Sequence, residues 1–324
     1  MVDLRTLSPR PVLVAGAPRS GTTWIGTVLS LAPGACSVHE PDNAVHDPFA
    51  LRASIGLGRF PILDKGDEAP AEYEELWRRA LAGYGHRRTP RWAAAKVLLR
   101  HTPRQEFRAA FDESEPVVSP RLDAVRRLAV PRSAIPPGQQ AVVKSVHGTL
   151  ALSWLTERFS PRVVIVMRHP LNVVASYLEL GWQDAGLHTR MDELRDGLAV
   201  SVPELPAEAS LVSRVAWQTG LFASVFTALA DRNPGWQIVT HEELCRDPHQ
   251  GFRRLYQNLR LTWTPAADDF LEGCNRPGTG IKTNRITKDQ PGRWRHRLTF
   301  SQVEEVRRVL DLFPALWEAE ELIA

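Results

Sequence analysis

Cysteine and lysine are scarce in this chain of 324 residues. The three cysteines, Cys36, Cys245 and Cys274, are scattered without metal-ligand spacing, so no metal site is expected. An odd count in a chain this long reads as reduced thiols in a cytoplasmic protein. No run approaches the roughly 20 apolar residues needed to cross a bilayer. The first apolar run, Pro11 to Ala17, is too short for a secretory leader and lacks a preceding basic stretch. No membrane partner is therefore expected. The formal net charge is only +3, which leaves no nucleic-acid footprint. The 40 basic residues include just five lysines, so arginine carries the positive charge, and its planar fork suits phosphate and sulfate groups. With 43% hydrophobic residues, the chain can bury a core without disulfides or metals.

What is present is an alternation of short apolar runs and amphipathic segments. Val12-Leu-Val-Ala-Gly16 reads as a buried strand, followed by a helix over 23–31 that Pro33-Gly34 stops. Helical periodicity also covers 68–82. Ala141 to Lys144 is a second buried strand, with a helix over 150–159. Arg162 to Met167 is a third strand, with a helix over 171–180, and Trp236 to Thr240 is a fourth. Helices follow at 250–259 and 301–311. The pattern predicts an α/β fold, a central mostly parallel sheet flanked by helices. Ligands of such sheets bind beyond the carboxyl ends of the strands. Segments 44–140 and 182–210 are weakly patterned, and are expected to be lid or acceptor-site insertions in a single domain spanning 1–324.

Gly16-Ala-Pro-Arg-Ser-Gly21-Thr22-Thr23 has the glycine spacing of a Walker A loop and sits between a predicted strand and a predicted helix. That placement turns backbone N–H groups and a helix N-terminus toward an anion. The usual lysine position holds Thr22, while Arg19 places a cation inside the loop. No aspartate ends an apolar strand as a Walker B residue would. An ATP or GTP site is thereby disfavoured. After the best strand, Arg168 and Ser176 stand eight positions apart, at the strand end and about two turns into a helix. They can clamp a phosphate distinct from the one held by the loop.

Pro18-Arg-Ser-Gly-Thr-Thr-Trp24 resembles the 5′-phosphosulfate signature of sulfotransferases that use 3′-phosphoadenosine-5′-phosphosulfate (PAPS), with arginine in place of the usual lysine. The resemblance implies a P-loop-like sulfotransferase fold. It makes Arg19 the catalytic cation and assigns Ser20, Gly21, Thr22, Thr23 and Trp24 to the 5′-phosphate. The segment from Arg168 to Ser176 resembles the 3′-phosphate motif. Thr240-His-Glu-Glu-Leu resembles the Tyr-Glu-Asp-Leu segment near the adenosine, with His241 in the tyrosine position. Lys288-Asp-Gln-Pro-Gly-Arg-Trp-Arg295 resembles the C-terminal loop over the 3′-phosphate, matched at Lys288 and Gly292, with Arg293 replacing an aspartate.

By the same resemblance, the expected reaction is transfer of a sulfuryl group from PAPS to a hydroxyl of a small-molecule, natural-product or carbohydrate acceptor. It leaves adenosine 3′,5′-bisphosphate and requires no metal. A general base is still needed. Glu40, in His39-Glu40-Pro41, resembles the Glu-Pro of carbohydrate sulfotransferases. His147 lies one residue beyond Val146, the position aligned with the histidine of cytosolic members. Both stay open as the base, and the family's matching lysine gives Lys144 a role at the sulfonate. Arg295-x-x-x-Thr299-Phe300-x-x-x-Glu304 is a variant of a dimerisation motif, which makes a homodimer through 295–304 an expectation. Trp77, Tyr84, Trp92, Phe107 and Trp182 could line an acceptor cleft or pack as core; spacing does not choose. Two other classes share such a loop: a P-loop nucleotide kinase or NTPase, and a non-catalytic nucleotide-binding protein.

Overall fold

The computed structural model describes residues 9–45, 47–83, 90–111, 117–129, 139–278 and 284–313. In chain order the elements are β1 (Val12–Gly16), α1 (Thr22–Leu29), β2 (Ala35–His39), α2 (Pro48–Ser54), α3 (Ala71–Leu81), α4 (Pro90–Arg100), α5 (Arg104–Ala110), α6 (Pro120–Leu128) and β3 (Gln140–Ser145). There follow α7 (Leu152–Phe159), β4 (Arg162–Met167), α8 (Pro170–Leu180), α9 (Met191–Gly197), α10 (Leu211–Arg232), β5 (Gln237–Thr240), α11 (His241–Arg246), α12 (Pro248–Asn258), α13 (Pro265–Cys274) and α14 (Phe300–Leu310). The five strands form one sheet in the order β2-β3-β1-β4-β5, flanked by helices. β2 pairs parallel with β3, and β4 with β5. The four strands read from the sequence lie within a residue of their expected bounds.

The chain divides into two compact units. The first comprises residues up to Leu13 and Gly34–Arg162. Here β2 and β3 pair from Ala35↔Gln140 to His39↔Lys144, which brings the ends of the two strands level. The segment 44–140, weakly patterned in sequence, contains α2 to α6. Leu51, Ala95, Leu99, Leu122 and Val125 form a core cluster there, with Phe107 packed against it. Asp47 and Ser119 cap α2 and α6, and proline at the first helical position follows each.

The second unit comprises Val14–Pro33 and Val163–Ala324. Val163, Val164, Ile165 and Val166 of β4 are fully buried, which is why this run is continuous in sequence rather than alternating. α8 starts on Pro170, and His169 accepts the N–H of Leu171 as its cap. α10, the longest helix at 22 residues, was not expected from the sequence. A Cβ on its Gly220 would lie 2.5 Å from the ring of Phe313, so this mid-helix glycine marks close packing and not a break.

Candidate active site

In the second unit the loop between β1 and α1 is bent by two left-handed residues, Arg19 (φ +72°) and Gly21 (φ +99°). Gly16 lets the loop lie tight against β4, since a Cβ there would sit 2.6 Å from the carbonyl oxygen of Val166. Among the described residues no side chain caps α1, so its first N–H groups lack a side-chain acceptor. Ser20 Oγ is buried and has no hydrogen-bond partner among the described residues. Unpaired donors, a buried hydroxyl and a helix N-terminus converging on one loop suit an anion with several oxygens.

The cations around this loop are arginines. Arg19 Nε donates to Ser176 Oγ at 3.0 Å, and its guanidinium lies 5.2 Å from the centre of the Trp182 ring. Arg168 donates to the carbonyl oxygen of Arg19 at 2.8 Å and faces Glu242 at 4.0 Å. The structure thus joins Arg19, the expected catalytic cation, to Arg168 and Ser176, the pair expected to clamp a phosphate distinct from the one held by the loop. Burial pushes Arg168 down to about 10, against the opposing charge of Glu242. Burial also lowers Arg19, Arg285 and Arg293, and the positive charges of neighbouring arginines lower Arg285 and Arg293 further. Burial is the largest cause in each, and the charge of Glu179 opposes the lowering of all three. Arg285 was missed in the sequence because nothing in its local pattern marks it.

Other expected residues sit as follows. Thr22 and Trp24 are buried, and Trp24 packs edge-on to His241 and Phe252. His241 lies beneath the loop: a Cβ on Gly21 would meet its Cδ2 at 2.4 Å. Burial, with the charge of Arg168, lowers its pKa well below the usual histidine value. Lys288 is exposed, and Gly292 and Arg293 are half-buried on two short 3₁₀ turns. Asn172 brackets this C-terminal loop to α8, donating to Pro291 O at 2.9 Å and accepting from Trp294 N at 3.2 Å. Trp294 stacks on His169. Asn172 escaped the sequence reading because it looks like any polar helix residue.

In the first unit Glu40 follows β2 in the left-handed region (φ +41°). Its N–H donates to Lys144 O at 2.7 Å, and its carboxylate accepts from Lys144 Nζ and Asn43 Nδ2. Burial alone would raise this carboxyl; the charge of Lys144 and the two hydrogen bonds outweigh it and hold Glu40 down at about 2. His147 is 4% exposed, with Arg59 donating to its Nε2 at 3.4 Å and Phe60 edge-on to its ring. Four non-glycine residues have positive φ among those described. Ser160 and Arg260 terminate helices, where such backbone is common. The other two are Arg19 and Glu40, both singled out for chemistry, where strain of about 1–3 kcal/mol is characteristic of functional positions. Of the aromatic candidates, Trp77 is core, Trp92 and Phe107 are partly buried, Trp182 lies under Arg19, and Tyr84 is outside the described residues.

Among the described residues no helix is long and apolar enough to cross a membrane, and no group of three or more acidic, histidine or cysteine side chains could hold a metal. No curated protein matches the sequence significantly. Similar solved structures include the sulfotransferase domain from the curacin biosynthetic pathway, 13% identical over 93% of this chain and 96% of that one, with a TM-score of 0.45. A sulfotransferase domain of a Synechococcus olefin synthase is 15% identical over 94% of each chain, with a TM-score of 0.43. A mouse sulfotransferase complexed with PAP is 12% identical over 93% of this chain and 82% of that one, with a TM-score of 0.42. The model of the sulfotransferase family matches residues 11–265, most of the chain, and the protein belongs to that family.

Proposed function

We propose that the protein transfers a sulfuryl group from PAPS to a hydroxyl of a small-molecule, natural-product or carbohydrate acceptor, by in-line displacement without a metal. The observation that carries the reading is Arg19, a cation in left-handed backbone inside an anion-ready loop, hydrogen-bonded to Ser176 and braced by Arg168. In this reading the loop amides and Ser20 take the 5′-phosphate, and Arg168, Ser176, Lys288 and Arg293 take the 3′-phosphate. Arg285 joins them. His241 supports the loop from below.

Sulfuryl transfer develops charge on the leaving oxygen and on the equatorial oxygens of sulfur, so fixed cations supply most of the acceleration. Arg19 serves the bridging oxygen as its bond to sulfur breaks. Glu40 takes the proton of the acceptor hydroxyl as the new oxygen–sulfur bond forms. A carboxylate held at about 2 is a weak base while Lys144 grips it. An anionic sulfonate competes for that ammonium, and release from Lys144 raises the basicity of Glu40. His147, tied to Arg59 and Phe60, is assigned to support. In the same reading 1–324 is a single catalytic domain and 44–140 and 182–210 shape the acceptor site. Phe300, 81% exposed in the 295–304 segment, favours a homodimer.

The test is incubation of the purified protein with PAPS and a panel of phenols, sugars and alcohols, following release of adenosine 3′,5′-bisphosphate. Release that depends on the acceptor and is lost in Arg19→Ala supports the reading. Release unaffected by Arg19→Ala removes Arg19 from the chemistry.

A further inference from the structure

Asp42 lies two residues beyond Glu40, on the turn that leaves β2, and its side chain is folded inward, 5% exposed. Its Oδ2 accepts the hydroxyl hydrogen of Ser145 at 2.6 Å, and that hydroxyl accepts the backbone N–H of Gly148 at 3.0 Å. Oδ1 is buried and has no hydrogen-bond partner among the described residues. The wall is close: a Cβ on Gly148 would lie 2.6 Å from the Trp77 ring and 3.2 Å from Asp42 Oδ2. A carboxylate so enclosed is costly, whereas a carboxylic acid is tolerated.

The charged and titratable groups facing Asp42 are few. Glu40 is on its own turn, Lys144 on β3 and Tyr73 on α3, whose phenol is raised by burial and by the charge of Asp42. His147, held by Arg59, acts on Glu40 from the turn after β3. Burial pushes Asp42 up to about 7, against the Ser145 hydrogen bond, and the charge of Glu40 adds to the rise.

We propose that Asp42 is a positioning residue for the transfer: through Ser145 it ties the Glu40 turn to the end of β3 that carries Lys144, and it does so as the neutral acid. The inference rests on the reading that Glu40 and Lys144 serve the reaction. When Asp42 loses its proton to solvent, a second anion stands beside Lys144 and helps to hold the ammonium among carboxylates. Lys144 then no longer passes to the sulfonate and Glu40 is not released as a base, so turnover falls as pH rises.

The experiment compares kcat and KM of the wild type, Asp42→Ala and Asp42→Asn across the neutral pH range, with PAPS as donor and para-nitrophenol or another acceptor that the wild type turns over. Wild-type kcat is expected to fall with a midpoint near 7 while the KM for PAPS holds. Asp42→Ala lowers kcat about tenfold, the scale of one hydrogen bond. Asp42→Asn, neutral at every pH, recovers most of that loss, and its profile lacks the alkaline fall. Wild-type and Asp42→Asn profiles that superimpose overturn the proposal. So does a loss in Asp42→Ala that Asp42→Asn fails to recover while melting normally.

A second measurement needs no turnover. The carbon-13 signal of the Asp42 carboxyl, assigned by its disappearance in Asp42→Asn, should titrate near neutrality and move down in Glu40→Gln. An ordinary aspartate midpoint overturns the proposal even where transfer is observed. A near-neutral midpoint in a protein that transfers nothing from PAPS overturns the functional reading instead.

Discussion

Arg19 Nε donates to Ser176 Oγ at 3.0 Å, so the loop cation and the helix hydroxyl are already joined. An arginine reaches this hydroxyl through a fixed fork and still presents its terminal nitrogens. Arg19→Ala is therefore expected to lower kcat by about 10²–10³, the range for removing one charge-stabilising donor, with a smaller effect on PAPS binding. Steady-state kinetics separates the two. A variant with unchanged kcat would contradict the assignment.

Arg168 holds the Arg19 carbonyl as well as facing Glu242. Arg168→Ala should weaken adenosine 3′,5′-bisphosphate by about 1.5–3 kcal/mol, as for a charged hydrogen bond. It should also lower kcat, because the loop that carries Arg19 loses its brace. Calorimetry and kinetics check the two effects.

Glu40→Gln and His147→Ala should divide. The first removes the base and abolishes transfer; the second leaves chemistry in place and costs stability, since the ring is buried against Phe60. Transfer surviving in Glu40→Gln and lost in His147→Ala would reverse the assignment.

The same ion pair sets a dependence of stability on pH. Glu40 falls from the ordinary 4.5 to about 2 on folding, so its contribution is present above 4.5 and is lost as pH drops toward 2. Melting curves of the wild type should lose stability across that window, and those of Glu40→Gln should lose less. Lys144→Met should cost about 3–5 kcal/mol near neutrality, because it leaves a buried carboxylate unpaired.

Gly21→Ala meets two obstacles, a φ of +99° and a contact of 2.4 Å with the His241 ring. Backbone strain alone amounts to about 1–3 kcal/mol. Adding His241→Ala should restore the part due to the clash and leave the part due to φ, which a double-mutant cycle of melting temperatures reads out.

The residues legible in sequence were those with local signals. A continuous apolar run, a glycine-spaced turn and a proline-started helix are each written within about ten positions, so β1, β4, α8, Arg19 and Arg168 could be read. α10 was hidden because Gly220 looks like a breaker until Phe313 is seen against it. Asp42 carries no local signal, since its partner Ser145 is 103 positions away. Asn172 and Arg285 were invisible for the same reason: their roles come from neighbours distant in sequence or from crowding of like charges.

The most direct test is calorimetric titration of the wild type with adenosine 3′,5′-bisphosphate, with magnesium ATP as the control and Arg168→Ala as the comparison. Tight binding of the bisphosphate alone, weakened in Arg168→Ala, is the predicted result. Binding of magnesium ATP with no affinity for the bisphosphate would contradict the account and make the loop a kinase-type site.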